Sequence, residues 1–282
     1  MDGLLLVDKE AGYTSHDVVA IIKKKFKVNK VGHAGTLDPF ATGLMIILLG
    51  KATKLSDRLI GAHKSYEGVM VFGTHYDTYD ITGKIIEEKH HSLDEKELNQ
   101  VMQSFVPTYL QMPPQYSAKK VDGIKSYEAA RKGKTIKLSP KEVYISRFEN
   151  KGFENQKLTF SVDVSSGTYI RSLAFDLGEK LNTYGALESL RRTRIEQYDV
   201  NVAKTLDQIT ENDLISHEVP FNHYPKLELN DYMVGLVKNG VILDERQTSL
   251  KQSFVVVNQN GDYIAAYEPI PNTKQYRIFY LF

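Results

Sequence analysis

The sequence contains no cysteine, which excludes disulfide scaffolds, thiolate zinc sites, iron–sulfur clusters and thiol catalysis. Long hydrophobic runs are missing too. The apolar opening ends after Leu4 to Val7, and no later stretch approaches the ~20 apolar residues of a membrane span. With no basic region ahead of that opening, a signal peptide is not expected, and the expected location is cytoplasmic with no membrane contact. Neither sign of charge dominates: 36 Lys+Arg face 35 Asp+Glu, a formal net charge of +1. Familiar signatures are also absent. There is no Gly-x-Gly-x-x-Gly, and Gly43…Gly50-Lys51-Ala52 has the wrong spacing and lacks the Ser/Thr of a phosphate-binding loop. No Gly-x-Ser-x-Gly elbow occurs, and the eight histidines form no His-Glu-x-x-His. No metal and no cofactor is expected.

What is present reads as an ordinary globular chain, 282 residues long and 41% hydrophobic. That length suits one large domain plus a small one. The near-zero net charge hides a clustered distribution. Residues 21–30 carry five lysines and no acid, while residues 119–137 carry seven basic residues against Asp122 and Glu128. Residues 74–97 run the other way, with seven acids against three lysines. Two basic stretches and a third cluster at Arg191, Arg192 and Arg194 point to a polyanionic partner.

Hydrophobic spacing predicts the element order. Thr14-Ser15 precede a helix with Val18, Ile22 and Phe26 on its inner face. Leu44 to Leu49 and Tyr66 to Phe72 read as strands. Ser92-Leu-Asp-Glu95 has the form of a capping box ahead of Leu98, Val101, Met102 and Phe105. Leu158, Phe160, Val162 and Val164 alternate as a half-buried strand, and a helix follows through Ile170, Leu173, Ala174, Leu177 and Leu181. Pro220 and Pro225 bracket a linker. Beyond it, Phe254–Val257, an Asn260-Gly261 turn, Tyr263–Tyr267 and Tyr276–Leu281 form a small β module. Without a regular βαβ rhythm, the expected class is mixed α+β with a β tail.

One loop concentrates the chemistry. Gly32-His33-Ala34-Gly35-Thr36-Leu37-Asp38-Pro39-Phe40-Ala41-Thr42-Gly43 places a single carboxylate in a tight, irregular turn just before a buried strand. On its own this is either a structural turn, with Asp38 bonding nearby backbone N–H groups, or a site carried on a rigid scaffold.

The loop resembles the catalytic motif of the TruB family of tRNA pseudouridine synthases, Gly-His-x-Gly-x-Leu-Asp-Pro-x-Ala-x-Gly. Further segments carry the same resemblance in the expected order over about residues 3–200: Lys64-Ser65-Tyr66, the Gly73 to Gly83 run, Pro113-Pro114-Gln115-Tyr116-Ser117-Ala118, Gly167-Thr168-Tyr169-Ile170-Arg171 and Leu190-Arg191-Arg192. Two positions depart from the pattern: Glu10 stands where proline is usual, and Tyr76 where threonine is usual. The resemblance implies a largely antiparallel sheet flanked by helices over residues 1–222, with an RNA-clamping insertion at 107–141. It also implies a small PUA-like RNA-binding module at 226–282. The implied activity is isomerisation of uridine 55 in the tRNA T-loop, with assistance to tRNA folding as a second task.

By the same resemblance, Asp38 is the catalytic carboxylate, Arg171 its guanidinium partner and Tyr66 the ring that meets the target uracil. His33, Tyr169 and Leu190 line the pocket, His33 filling the space left by flipped nucleotides. Lys9, Lys119, Lys120 and Lys132 contact RNA, with Glu10 weakening the phosphate contact of Lys9. The expected partner is the tRNA T stem-loop, met by a monomer. The residues alone leave two other readings open. One is a non-catalytic RNA-binding protein; the other is a carboxylate-based hydrolase, which would need a second carboxylate placed with the first.

Overall fold

The computed structural model describes residues 1–117, 120, 121, 124, 125 and 138–282. Lys119 and Lys132, with most of the basic stretch around them, lie outside the described residues, and Lys120 is described through its backbone alone. The first half of the chain contributes strands β1 (Gly3–Lys9), β2 (Val31–His33), β3 (Thr42–Leu49), β4 (Lys64–Phe72), β5 (Thr74–Tyr76), β6 (Ile85–Glu88) and β7 (Thr108–Gln111). Helices α1 (Ser15–Lys25), α2 (Ser56–Ile60) and α3 (Glu95–Gln103) lie between them. A short hairpin of β8 (Lys120–Val121) and β9 (Ile124–Lys125) comes next. Then come β10 (Lys141–Glu154), β11 (Lys157–Val164), helix α4 (Ile170–Lys180), β12 (Gly185–Ile195), β13 (Tyr198–Asp199) and β14 (Ile215–Ser216).

Ten of these strands form one sheet with the backbone order β14–β1–β3–β12–β4–β11–β10–β7, β2 pairing with β3 and β13 with β12. All of its pairings are antiparallel except the short β3–β12 contact, Arg191 opposite Thr42 and Arg192 opposite Gly43. The mixed α+β class is what the fold shows. β3 is apolar without a break because both of its faces are covered. Met45, Ile47 and Leu49 join the core under α1, α3 and α4, while Leu44, Ile46 and Leu48 join a second core on the opposite face.

Local signals explain the helices. Thr14 caps α1 in a full capping box with Asp17, and Val18 and Ile22 are buried as the spacing requires. For α3 the cap is Asp94, whose carboxylate accepts the Glu97 N–H, not Ser92; Phe105 is buried beyond the helix end. Helix α4 packs closely on β12. A side chain at Gly178 would overlap the backbone of Tyr184 and Gly185.

The C-terminal region forms a separate five-stranded sheet from β15 (Lys226–Glu228), β16 (Leu243–Asp244), β17 (Phe254–Val257), β18 (Tyr263–Pro269) and β19 (Gln275–Leu281). Helix α5 (Asp231–Lys238), capped by Asn230, packs against it, so the tail is not purely β as its sequence suggested. The stretch expected as a linker is partly packed: Phe221 is buried in a cluster with Leu55, Val255 and Tyr280. Arg58 of α2 lies 3.4 Å over the Phe279 ring and pairs with Glu268, docking this sheet on the segment after β3.

Gly178→Ala tests the α4–β12 contact. An alanine in an open helix gains about 1 kcal/mol over glycine. Here the added methyl meets backbone, and stability should instead fall by about 1–3 kcal/mol, read as a lower urea midpoint. A raised midpoint would contradict the packing.

Candidate active site

Asp38 sits in the loop between β2 and β3, and the backbone of that loop is held from four directions. Ser15, in the first turn of α1, brackets Leu37: its hydroxyl donates to the Leu37 carbonyl (3.1 Å) and accepts the Leu37 N–H (2.9 Å). Arg192 of β12 reaches under the loop and donates to the carbonyls of Gly35, Thr36 and Leu44 at 3.2, 3.3 and 2.7 Å. Lys9 donates to the carbonyls of Glu10, Tyr13 and Pro39 at 2.9, 2.9 and 3.3 Å. The Gly12 N–H donates to the Pro39 carbonyl at 2.8 Å. Gly43 ends the loop with φ +102°, and a side chain there would overlap the Arg192 backbone, so this crossing of β3 and β12 needs glycine.

The Asp38 carboxylate meets Arg171 from the first turn of α4. The guanidinium donates Nε to Oδ2 (2.9 Å) and Nη2 to Oδ1 (3.1 Å), a two-point fork that fixes the plane of the carboxylate. Its other N–H groups donate to the carbonyls of Thr78 (3.0 Å) and Tyr116 (2.9 Å). Buried Asp80 lies 3.9 Å from Nη1. The exposures differ: the Arg171 side chain is 7% accessible and that of Asp38 35%. The cation is therefore the fixed backing, and the carboxylate is the part that faces a ligand.

Positive charge surrounds this one acid. Burial pushes the Lys9 ammonium down to about 8, against the pull of Asp38 and with a push from Arg192. Burial also pushes Lys64 to about 8, and Arg192 adds to that shift; its ammonium donates to the carbonyls of Ile60 (2.9 Å) and Ala62 (2.8 Å). Burial pushes the Tyr169 phenol up; a hydrogen bond with Ser117 and the charge of Arg171 oppose the shift, and Asp38 adds to it. His33, at the end of β2, is pushed below its ordinary value by burial and by the neighbouring His16 and Arg192, and its Nδ1 is buried without a hydrogen-bond partner among the described residues.

The structure thus brings Asp38 and Arg171 together directly, and Tyr169 caps the helix two residues before Arg171. Tyr66 and Leu190 share a core cluster with Leu37, the residue before Asp38. Tyr66 lies on β4 opposite Arg192, and Leu190 on β12 opposite Gly68, so both come up beneath the loop. Lys9 corrects the sequence reading. It is fully buried with its ammonium on three carbonyls, so it holds the loop and cannot reach a phosphate. The arginine cluster is a second correction. Arg191 forms a fork with Asp8 (3.0 and 2.7 Å), Arg192 is buried, and Arg194 faces Asp163 at 3.9 Å, so all three are engaged within the fold, Arg192 entirely and the half-exposed Arg191 and Arg194 in part. The sequence reading missed Arg192, Asp80 and Ser15 as parts of the site. Asp80 and Arg192 stood in segments carrying the resemblance without a role assigned to them; Ser15 acts on the Leu37 backbone and stood in none of these. Among the described residues, no group of three His, Cys, Asp or Glu could hold a metal ion.

A family model described as TruB family pseudouridylate synthase (N terminal domain) matches residues 23–170. A protein named tRNA pseudouridine synthase B from Acholeplasma laidlawii (strain PG-8A) is 51% identical over 282 residues, 100% of both chains. The protein of that name from Aquifex aeolicus (strain VF5) is 39% identical over 247 residues, 85% of this chain and 86% of its own. Among solved structures, a chain from "Crystal Structure of a Cbf5-Nop10-Gar1 Complex" superposes with a TM-score of 0.73 at 26% identity, covering 98% of this chain and 83% of its own.

Arg192→Lys tests the loop support. Arg192 reaches its three carbonyls from three separate nitrogens, a span that the single ammonium of a lysine cannot cover, and the loss of at least two buried hydrogen bonds should cost about 2–4 kcal/mol in urea unfolding. Amide exchange at Ala34 and Ala41 should accelerate with it, and a loss under about 0.5 kcal/mol would mean the carbonyls find other partners.

Proposed function

The chain belongs to the TruB family of pseudouridylate synthases, and on that premise we propose that it converts uridine 55 in the T-loop of tRNA to pseudouridine. The observation that carries the reading is the forked Asp38–Arg171 pair at the mouth of a loop whose backbone is fixed on every side. The reaction breaks the C1′–N1 bond, turns the uracil and makes a C1′–C5 bond, with the C5 hydrogen lost and N1 protonated. No oxidant, phosphoryl group or energy source enters that balance. One positioned carboxylate is needed, and it must be ionised and aimed. A guanidinium within hydrogen-bond distance favours the charged form, and a two-point fork fixes its direction.

Three routes are open to Asp38: attack on the sugar, attack on the base, or removal of a sugar proton. All three need the same exposed carboxylate oxygens. Tyr66 stacks on the uracil in this reading, and Tyr169 and Leu190 close the pocket. A uridine inside a folded loop must leave its stack, at a cost of a few kcal/mol. His33 offsets that cost by occupying the vacated space, a role suited to a ring that burial keeps from taking up charge. The lysines of the 107–141 segment, Lys119, Lys120 and Lys132 among them, contact the stem-loop backbone, and the C-terminal module extends the RNA surface. The enzyme works in the cytoplasm as a single chain. By opening the T-loop to reach its target, it also gives a misfolded tRNA another chance to fold.

Asp38→Asn keeps the shape and removes the charge. It should fold and bind an unmodified tRNA transcript but make no pseudouridine, and turnover within tenfold of the unsubstituted enzyme would take Asp38 off the catalytic list. Arg171→Lys keeps the charge and loses the fork. Single-turnover rates should drop at least tenfold, about 1.4 kcal/mol of transition-state stabilisation, with a smaller change in RNA affinity. A binding defect with normal single-turnover chemistry would instead make Arg171 a phosphate contact.

A further inference from the structure

The lysine run after the site loop's supporting helix is the sequence feature that this chemistry leaves unused. One member is accounted for: the Lys25 ammonium donates to the carbonyls of Leu206 (2.7 Å) and Asp207 (3.2 Å). Lys23, Lys24, Lys27 and Lys30 are exposed, and none forms an ion pair with a described residue.

Their placement relative to Asp38 is set by α1. The helix starts at the catalytic loop, where Ser15 brackets Leu37. Buried Val18 and Ile22, with Phe26 at the cap, define its inner face. At 3.6 residues per turn, His16 and Lys23 then fall together on one outer flank. The His16 ring lies 6.2 Å from that of His33, so the flank begins beside the pocket. Seven residues further, at Lys23, it has moved ~10 Å away from the loop, and Lys27 follows past the Phe26 cap, where the helix has ended. The chain turns there, and Lys30 stands just before β2, which leads back to His33.

We propose that this flank, His16 and Lys23, continued past the helix by Lys27 and Lys30, is a second RNA contact, a basic track for the sugar-phosphate backbone leading away from the flipped uridine. The inference rests on the RNA-modifying reading above and adds a contact surface to it. A purely structural account covers only part of the run. Lysines in the last helical turn complement the helix dipole, which serves Lys23 and Lys24. Lys27 and Lys30 lie beyond the Phe26 cap, where no such benefit remains.

The test is the salt dependence of binding to an unmodified tRNA transcript. Replacing Lys23, Lys27 and Lys30 together with glutamine should lower affinity at least tenfold at low salt and reduce the slope of log K against log salt by ~2–3, one counterion-releasing contact per lysine. A matched triple on the far half of the sheet and α3, Lys96, Lys151 and Lys157→Gln, makes the same change in net charge and should leave the slope as it was. The substituted side chains are exposed, so an unchanged melting midpoint confirms folding. An unchanged slope in the α1 triple, or equal changes in both triples, overturns the track. If the unsubstituted protein itself converts no uridine in the transcript, the parent reading falls and this one with it; normal conversion with an unchanged slope removes the track alone.

Discussion

The forked contact between Arg171 and Asp38 is the constraint that organises this fold. A guanidinium that is 7% exposed has given up most of its hydration. Removing one partner from such a pair costs about 3–5 kcal/mol, because the other is left charged and uncompensated. Four carbonyl or carboxylate acceptors answer that demand, and they come from three separate stretches of chain: Asp38 in the loop after β2, Thr78 and, more distantly, Asp80 in the turn after β5, and Tyr116 in the segment after β7. Arg171 therefore acts as a hub. Tyr116, inside the 107–141 segment, and the Asp38 carboxylate thus meet through this one side chain.

The loop beneath Asp38 follows a related rule. Lys9, Lys64 and Arg192 are buried cations whose hydrogen bonds go to backbone carbonyls, eight in all, and among the described residues none of the three has an acid in ion-pair range. Carbonyl dipoles stabilise an ammonium or guanidinium less well than a carboxylate would, and the depressed values of Lys9 and Lys64 record that deficit. The arrangement has a chemical consequence. With carbonyls as their partners, Lys9 and Arg192 fix the loop backbone without drawing on the Asp38 carboxylate, whose oxygens are left to Arg171 and solvent.

How much of this was legible in the sequence depended on whether a residue acts through its side chain's reactive end or through the backbone. Asp38 and Arg171 stand in motifs because their chemistry is specific, and the structure brings them to 2.9 Å across 133 residues of chain. The helices α1 and α4 were legible from spacing, since one face of each is buried. Lys9 was given a phosphate contact by resemblance alone, and sequence does not show which way a strand-end lysine points; β1 carries it inside, opposite Gly43. Arg191, Arg192 and Arg194 looked like a surface patch because sequence shows adjacency and not pairing. β12 is a central strand, and its partners Asp8, Asp163 and the loop carbonyls come from distant segments. Helix α5 escaped notice for a simpler reason: eight residues span barely two turns of periodicity.

The described arginines and the exposed lysines of α1 differ in how they are engaged. Every arginine among the described residues is engaged. Arg58 and Arg277 share Glu268, Arg147 and Arg194 face Asp163, Arg171 and Arg191 hold Asp38 and Asp8, Arg246 holds Asp244, and Arg192 holds carbonyls. The lysines of α1 and the turn after it mostly face solvent unpaired. The physics favours that division. A planar guanidinium loses little freedom in gripping a fixed acceptor, whereas a hydrated ammonium on a flexible stem suits a phosphate whose position shifts with each substrate. It also explains why a net charge of +1 said so little about an RNA enzyme. Most of the described arginines are paired with acids of the same chain, so their charges are largely offset close by. The potential that an incoming RNA meets is set by where the unpaired lysines are placed, and not by how many charges the chain carries.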